Sequence, residues 1–352
     1  MILNRKVPLY YLVLSTILGV SVTFLYVNNK SKIDGTDENT SSDSANTKIA
    51  ESAYNIQHLK GYKYISPIIS AEPATESVKY AQLKSELTDF IEKEKASGQV
   101  SSVSVYMKDF TGGDWLTIDP NEQYYPGSLL KVGVLMTYLR MAEKNHNLMN
   151  TEVTYHVNKG FVFPVEHYKA KTAEEDHKYK IRELIDYMIK YSDNGATVFL
   201  ENIMDTTIFK NEFADLGITE PRFNDPNYML NVKEYSNIFK ALYSAGYLKR
   251  RASDSALSLL TQTVFLEGLV KELPANVTVA HKFGEAGNEQ IHELHECGIV
   301  YLDNNPYMIT VMSRGTDWNR LSGILGHISK MVYDKMAGAT DGNPTYQTSA
   351  LR

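Results

Sequence analysis

Strand-like alternation occurs at both ends of the chain's apolar portion, and helical spacing fills the middle. That order restricts the available folds more than any other feature. Val103, Val105 and Met107 alternate, and Trp115-Leu116-Thr117-Ile118 follows a Gly-Gly turn as a hairpin partner. Further alternation predicts strands at 277–283, 297–302 and 307–313. Before the first strand, Leu83, Leu87, Phe90 and Ile91 recur at helical spacing, and after the last one so do Leu321, Ile324, Leu325 and Ile328. Between the strand groups, helices are expected from Ser128 onward and over 181–190, 196–203 and 232–242. The fold class is therefore α+β, with one antiparallel sheet shared by the first and last segments and flanked by helices. Residues from about 126 to 260 would form a mostly helical lobe.

Outside this portion the composition changes. Arg5 and Lys6 precede Val7 to Val27, which are 21 residues without a charged side chain. As a helix that stretch measures about 31 Å, enough to cross a bilayer core. It reads as an uncleaved signal anchor rather than a cleaved signal peptide, because it is long for such a peptide and no clear small-x-small site follows. Residues 1–30 are thus assigned to a cytoplasmic end and a single membrane span, with the remainder outside the cell membrane. Residues 31–53 are rich in Ser, Thr, Asn and Asp and read as a flexible stalk. Residues 54–78, with Tyr62, Tyr64, Ile65, Ile68 and Ile69, are too apolar for a linker and are expected to pack on the main domain at 79–337. Residues 338–352 are polar again and read as a disordered tail.

Several function classes drop out on composition. The net charge is −6 and no basic tract lies beyond the anchor flank, so nothing points to nucleic acid. No Gly-rich phosphate loop is present, and no cofactor is implied. The single cysteine, Cys297, sits in an apolar run and is expected to be a buried, inert thiol. His292-Glu293-Leu294-His295 looks like a zinc-helix motif but has the wrong spacing and falls between two expected strands, so no metal is assigned.

Three strings carry chemistry: Ser128-Leu129-Leu130-Lys131, Ser192-Asp193-Asn194 and Lys282-Phe283-Gly284, separated by 64 and 90 residues. A serine hydroxyl needs a nearby base, and Ser-x-x-Lys on a helix places an amine one turn away on the same face. Pro126-Gly127 breaks the chain before Ser128, which puts that residue at a helix N-terminus, where developing negative charge is favoured. In order and setting these strings resemble the penicillin-recognising serine hydrolases, the class A β-lactamases and penicillin-binding proteins, with their S-x-x-K, S-D-N and K-T-G pattern. The resemblance covers roughly 79–336 and implies an active site between lobe and sheet.

It also implies roles. Ser128 would be the acylated nucleophile and Lys131 its proton acceptor or orienter. Ser192 would relay a proton to the leaving nitrogen, Asn194 would hold Lys131 and a substrate amide, and Lys282 would draw in a substrate carboxylate. The backbone N–H groups of Ser128 and Glu285 would form the oxyanion hole, with Phe283 and Gly284 lining the cleft. Phe283 stands where the family carries a hydroxyl residue, and Glu285 where it usually carries a small one. The deacylating glutamate of class A enzymes has no clear counterpart, and Asp225 and Glu220 are the candidate bases. The expected function is a membrane-anchored, extracytoplasmic serine acyl hydrolase acting on cell-wall peptides or related amides, esters or β-lactams. The alternatives are a true β-lactamase and a non-catalytic cell-wall-binding or sensor domain. A binding module has no physical need for all five of Ser128, Lys131, Ser192, Asn194 and Lys282.

Overall fold

The computed structural model describes residues 53–157, 166–168, 171–221 and 227–338. The anchor at 1–30, the stalk short of its last residue, the tail after Gly338 and Asp225 lie outside them. Among the described residues no helix is long and apolar enough to cross a membrane.

The strands are β1 (Tyr54–His58), β2 (Ile68–Pro73), β3 (Val100–Asp109), β4 (Trp115–Ile118), β5 (Glu152–Thr154), β6 (Lys178–Lys180), β7 (Thr278–Gly287), β8 (His292–Tyr301) and β9 (Tyr307–Gly315). The helices are α1 (Ala81–Lys95), α2 (Lys131–Ala142), α3 (Ile181–Lys190), α4 (Asn194–Ile203), α5 (Thr206–Asp215), α6 (Val232–Tyr243), α7 (Arg250–Leu260) and α8 (Trp318–Gly338). Five strands form one antiparallel sheet in the order β4-β3-β9-β8-β7, so the first and last parts of the chain share it and β7 is an edge.

Both faces of the sheet are covered. On one, Leu83, Leu87 and Ile91 of α1 and Leu321, Ile324 and Ile328 of α8 pack with Val103, Val105, Ile309 and Val311. On the other, the helical lobe meets Tyr106, Ala280, Cys297, Ile299, Met308 and Met312. Cover on both faces leaves β3 and β9 buried along almost their whole length, polar positions such as Ser104 and Thr310 included. The lobe helices bury one stripe each; in α3, Ile181, Leu184, Ile185, Met188 and Ile189 face inward. Side-chain caps at Asp193, Asp205 and Asn231 start α4, α5 and α6 by accepting free N–H groups of the first turn.

Some elements differ from expectation. The strand expected at 297–302 begins five residues earlier, so His292-Glu293-Leu294-His295 lies within β8 and not between strands. Helices α5 and α7 and the small β5–β6 hairpin were not among the expected elements. Cys297 is fully buried and its thiol pKa is pushed up by that burial.

Residues 54–73 fold as a β1–β2 hairpin. Ile69 is buried, and Ser244 Oγ donates to the Ile69 carbonyl at 2.9 Å. Glu72 inserts between two lysines: its Oε2 accepts from Lys240 Nζ at 3.1 Å and from the Tyr106 hydroxyl at 2.6 Å, and lies 3.7 Å from Lys108 Nζ. All three charged side chains are less than a tenth exposed. Removing one partner of such a group strands charge in the interior, a loss of about 3–5 kcal/mol. Glu72→Ala should therefore destabilise the domain by about that amount in denaturant unfolding, and an unchanged midpoint would show that this buried ion pair adds nothing to stability.

Candidate active site

Ser128 sits in a short 3₁₀ turn, Gly127–Leu130, that runs directly into α2, so Ser-x-x-Lys spans the junction. Gly127 has φ +52°, a left-handed conformation that favours glycine, and a Cβ there would lie 2.2 Å from the Glu285 carbonyl oxygen. Gly284 brings β7 equally close from the other side. A Cβ on it would meet Pro126 O at 2.5 Å and Leu129 N at 2.9 Å. Two glycines thus let the nucleophile turn and the edge strand touch backbone to backbone. The peptide groups of Ser128 and Glu285 are thereby neighbours, the arrangement an oxyanion hole requires.

The turn is held from outside as well. Tyr124 exchanges backbone hydrogen bonds with Leu230 at 3.0 and 2.9 Å. Tyr125 N–H donates to Glu293 Oε2 at 2.8 Å, and His295 Nε2 lies 3.1 Å from the Tyr125 carbonyl. Arg314 clamps Glu293 at 2.6 Å. The His-Glu-Leu-His string therefore braces the approach to the nucleophile, a use its sequence did not signal.

Lys131 is buried and donates three hydrogen bonds, to Ser192 O at 2.5 Å, Ser192 Oγ at 3.1 Å and Asn194 Oδ1 at 2.7 Å. Burial lowers its pKa to about 8, against the opposing fields of Glu166, Asp193 and Glu201. Ser192 adopts φ +57°, unusual for a side chain with a Cβ, and this turns both its carbonyl and its hydroxyl toward Lys131. Asp193 braces the bend, accepting from Gly195 and Ala196 N–H with one oxygen and from Ala173 N–H with the other. Ser128 Oγ makes no hydrogen bond among the described residues.

Lys282 is fully enclosed. Its Nζ donates to Ser192 Oγ at 2.9 Å and to the Phe283 carbonyl at 2.8 Å. Burial pushes its pKa well down, and the neighbouring Lys131 adds to that. Lys282 thus meets Lys131 on one hydroxyl, that of Ser192. Phe283, expected at the cleft, packs in the core, stacked on Phe265 with centroids 4.1 Å apart, because the aromatic ring finds apolar partners beneath the strand.

A cavity of about 830 Å³ opens over this centre, lined among others by Ser128, Lys131, Asn194, Glu201, Glu285 and Trp318. The Glu285 carboxylate accepts from the backbone N–H groups of His167 and Tyr168 at 3.1–3.3 Å, fastening that segment to β7. Trp318 is stacked between the rings of His167 and His292, at 5.1 and 4.5 Å. Glu220 is half-exposed and paired with Lys210 at 3.2 Å, apart from the residues that line the cavity. Sequence reasoning missed Glu201; the signal was its spacing of seven residues from Asn194, which puts both on one helix face.

A sequence model of the beta-lactamase enzyme family matches residues 82–336. No curated protein matches the chain. Among solved structures, PBP-A is 18% identical with a TM-score of 0.62, covering 73% of this chain and 97% of that one. A β-lactamase from Chitinophaga pinensis is 20% identical with a TM-score of 0.60 over 71% and 98%. A class A β-lactamase from Mycobacterium abscessus is 17% identical with a TM-score of 0.60 over 71% and 99%. These likenesses show a shared β-lactamase-like fold. Because the family model spans most of the chain, the chain belongs to the beta-lactamase enzyme family and is a serine hydrolase of that type.

Proposed function

We propose that the chain is a membrane-anchored serine acyl hydrolase, working outside the cell membrane on cell-wall peptides or on related amides, esters or β-lactams through an acyl-Ser128 intermediate. One observation carries this reading: the hydrogen-bonded set in which Lys131 and Lys282 both donate to Ser192 Oγ beside Ser128. The apolar stretch at 7–27 supports the anchor and with it the location. An acyl-enzyme complex with penicillin G, known for a variant of PBP-A, supports the acyl-serine route.

In the proposed reaction, neutral Lys131 takes the Ser128 proton as Oγ attacks the carbonyl carbon. Backbone N–H groups of Ser128 and Glu285 receive the oxyanion. Ser192, whose oxygen accepts from both lysines, passes its hydroxyl proton to the departing nitrogen as the bond from that nitrogen to carbon breaks, and takes in its place the proton that Lys131 gained from Ser128, which leaves Lys131 neutral again.

The base form of Lys131 grows as pH rises through about 8 and is scarce well below it, because burial lowers the pKa. Acylation should therefore accelerate from pH 6 to 9 and level off above. Incubating the full-length chain in detergent with penicillin G, and following intact mass beside a Ser128→Ala control, tests both points. A Ser128-dependent adduct forming faster at higher pH is expected. No adduct with penicillin G or with an ester-directed serine probe would favour the binding-domain reading instead.

A further inference from the structure

We infer that Glu201 is the general base that activates water to cleave the acyl-Ser128 ester. This role rests on the acyl-serine reading above.

An acyl-serine is hydrolysed only if something takes a proton from the attacking water. Lys131 is held by its three hydrogen bonds on the Ser192 and Asn194 side of the cavity. A carboxylate in the same cavity as Ser128 is the chemical alternative, and Glu166, Glu201, Glu285 and Glu289 line it. Glu285 is engaged by the backbone N–H groups of His167 and Tyr168. Glu289 lies at the exposed rim. Glu166 sits on the short segment that Glu285 fastens, not on a helix.

Glu201 differs from these in its mounting. It stands on α4, whose first residue is Asn194, and Asn194, Thr197, Val198 and Glu201 together form the wall that this helix gives the cavity. Their spacing of 3, 4 and 7 residues is one helix face. Helical side chains lean toward their own N-terminus, which carries the Glu201 carboxyl back toward Asn194 and Lys131. The two charges sense each other: Lys131 opposes the rise in the Glu201 pKa, and Glu201 supports the ammonium of Lys131. No described residue donates a hydrogen bond to the Glu201 carboxylate, so its lone pairs remain open to water. Burial raises its pKa to about 7, where a carboxylate is a stronger base yet still substantially ionised at neutral pH.

The step balances without a further reactant. One hydrogen of water moves to Glu201 as the water oxygen bonds to the ester carbon. The tetrahedral oxyanion faces the Ser128 and Glu285 N–H groups. It collapses with cleavage of the carbon–Oγ bond, and the proton held by Glu201 returns to Ser128 Oγ by way of the Lys131 amine. Free serine and a carboxylic acid remain.

The test compares full-length wild type, Glu201→Gln, Glu201→Asp, Glu166→Gln and Ser128→Ala, each pulsed with p-nitrophenyl acetate. The nitrophenolate burst reports acylation, and intact mass reports decay of the +acetyl species. Glu201→Gln should keep a Ser128-dependent burst and lose its acetyl group about 10²–10⁴-fold more slowly than wild type. Wild-type decay should rise through pH about 7, and that limb should be missing in Glu201→Gln. Glu201→Asp should be intermediate, and its burst would show that the position tolerates substitution without unfolding. Equal decay in wild type and Glu201→Gln would overturn the assignment, as would slowed decay only in Glu166→Gln, a persistent wild-type adduct, or equal loss of burst and decay in both Glu201 variants. No Ser128-dependent burst in wild type would sink the acyl-serine reading itself, a result distinct from all of these.

Discussion

Lys131→Met should slow acylation of Ser128 by about 10²–10⁴-fold, the range that a positioned general base contributes. Methionine matches the length of the lysine stem but has no proton-accepting nitrogen. It also leaves Ser192 O and Asn194 Oδ1 without their short donor contacts, so the bend at Ser192, already at φ +57°, would lose one of its tethers. Lys131→Arg should not rescue the rate. A guanidinium stays protonated at any working pH and cannot take the Ser128 proton, although it restores the charge. Adduct formation by intact mass across both variants checks the point. Activity in Lys131→Arg near the wild-type level would show that Lys131 serves by charge and not as a base.

Gly284→Ala tests the contact between sheet and nucleophile. The added methyl would stand 2.5 Å from Pro126 O, 2.8 Å from Leu129 Cγ and 2.9 Å from Leu129 N. Two of these are backbone atoms of the turn that holds Ser128, so either β7 or the turn must give way. A shift of about 1 Å at reacting groups costs on the order of 10²-fold, and loss of an oxyanion donor about 10²–10³-fold. Acylation should fall into that range while most of the domain stays folded. Gly323→Ala in α8 is the control, because a Cβ there meets nothing within 4 Å and alanine favours a helix interior. If both substitutions leave acylation unchanged, the oxyanion site does not depend on this close approach.

Much of this arrangement is legible in the amino-acid sequence. The alternation of Val103, Val105 and Met107, and the stripes in α3 and α8, are strong periodic signals, and their order along the chain implied a sheet built from both ends. Five polar residues were singled out by the resemblance of three strings to the family pattern, and hydrogen bonds join four of them, Lys131, Ser192, Asn194 and Lys282. What stayed hidden were features that depend on the third dimension. Nothing local reveals that Lys282 turns inward, since its direction is set by Ser192, 90 residues earlier. Phe283 was read as a cleft residue because of its neighbours in sequence, but its place is decided by Phe265 across the core. Glu293 and His295 had no role assigned from sequence, and only pairing of β8 with β9 turns them toward the backbone of Tyr125. Glu201 escaped notice because a single glutamate on a helix is usually solvated surface.

The meeting of Lys131 and Lys282 on one hydroxyl oxygen has a thermodynamic corollary. Two ammonium groups so close in a dry setting repel, so the pair holds less positive charge at neutral pH than two lysines would in water. Its charge is then a variable that the occupant sets. An anionic ligand should draw in a proton as it enters and a neutral one should not, so the affinity for acids would fall with rising pH even where catalysis quickens.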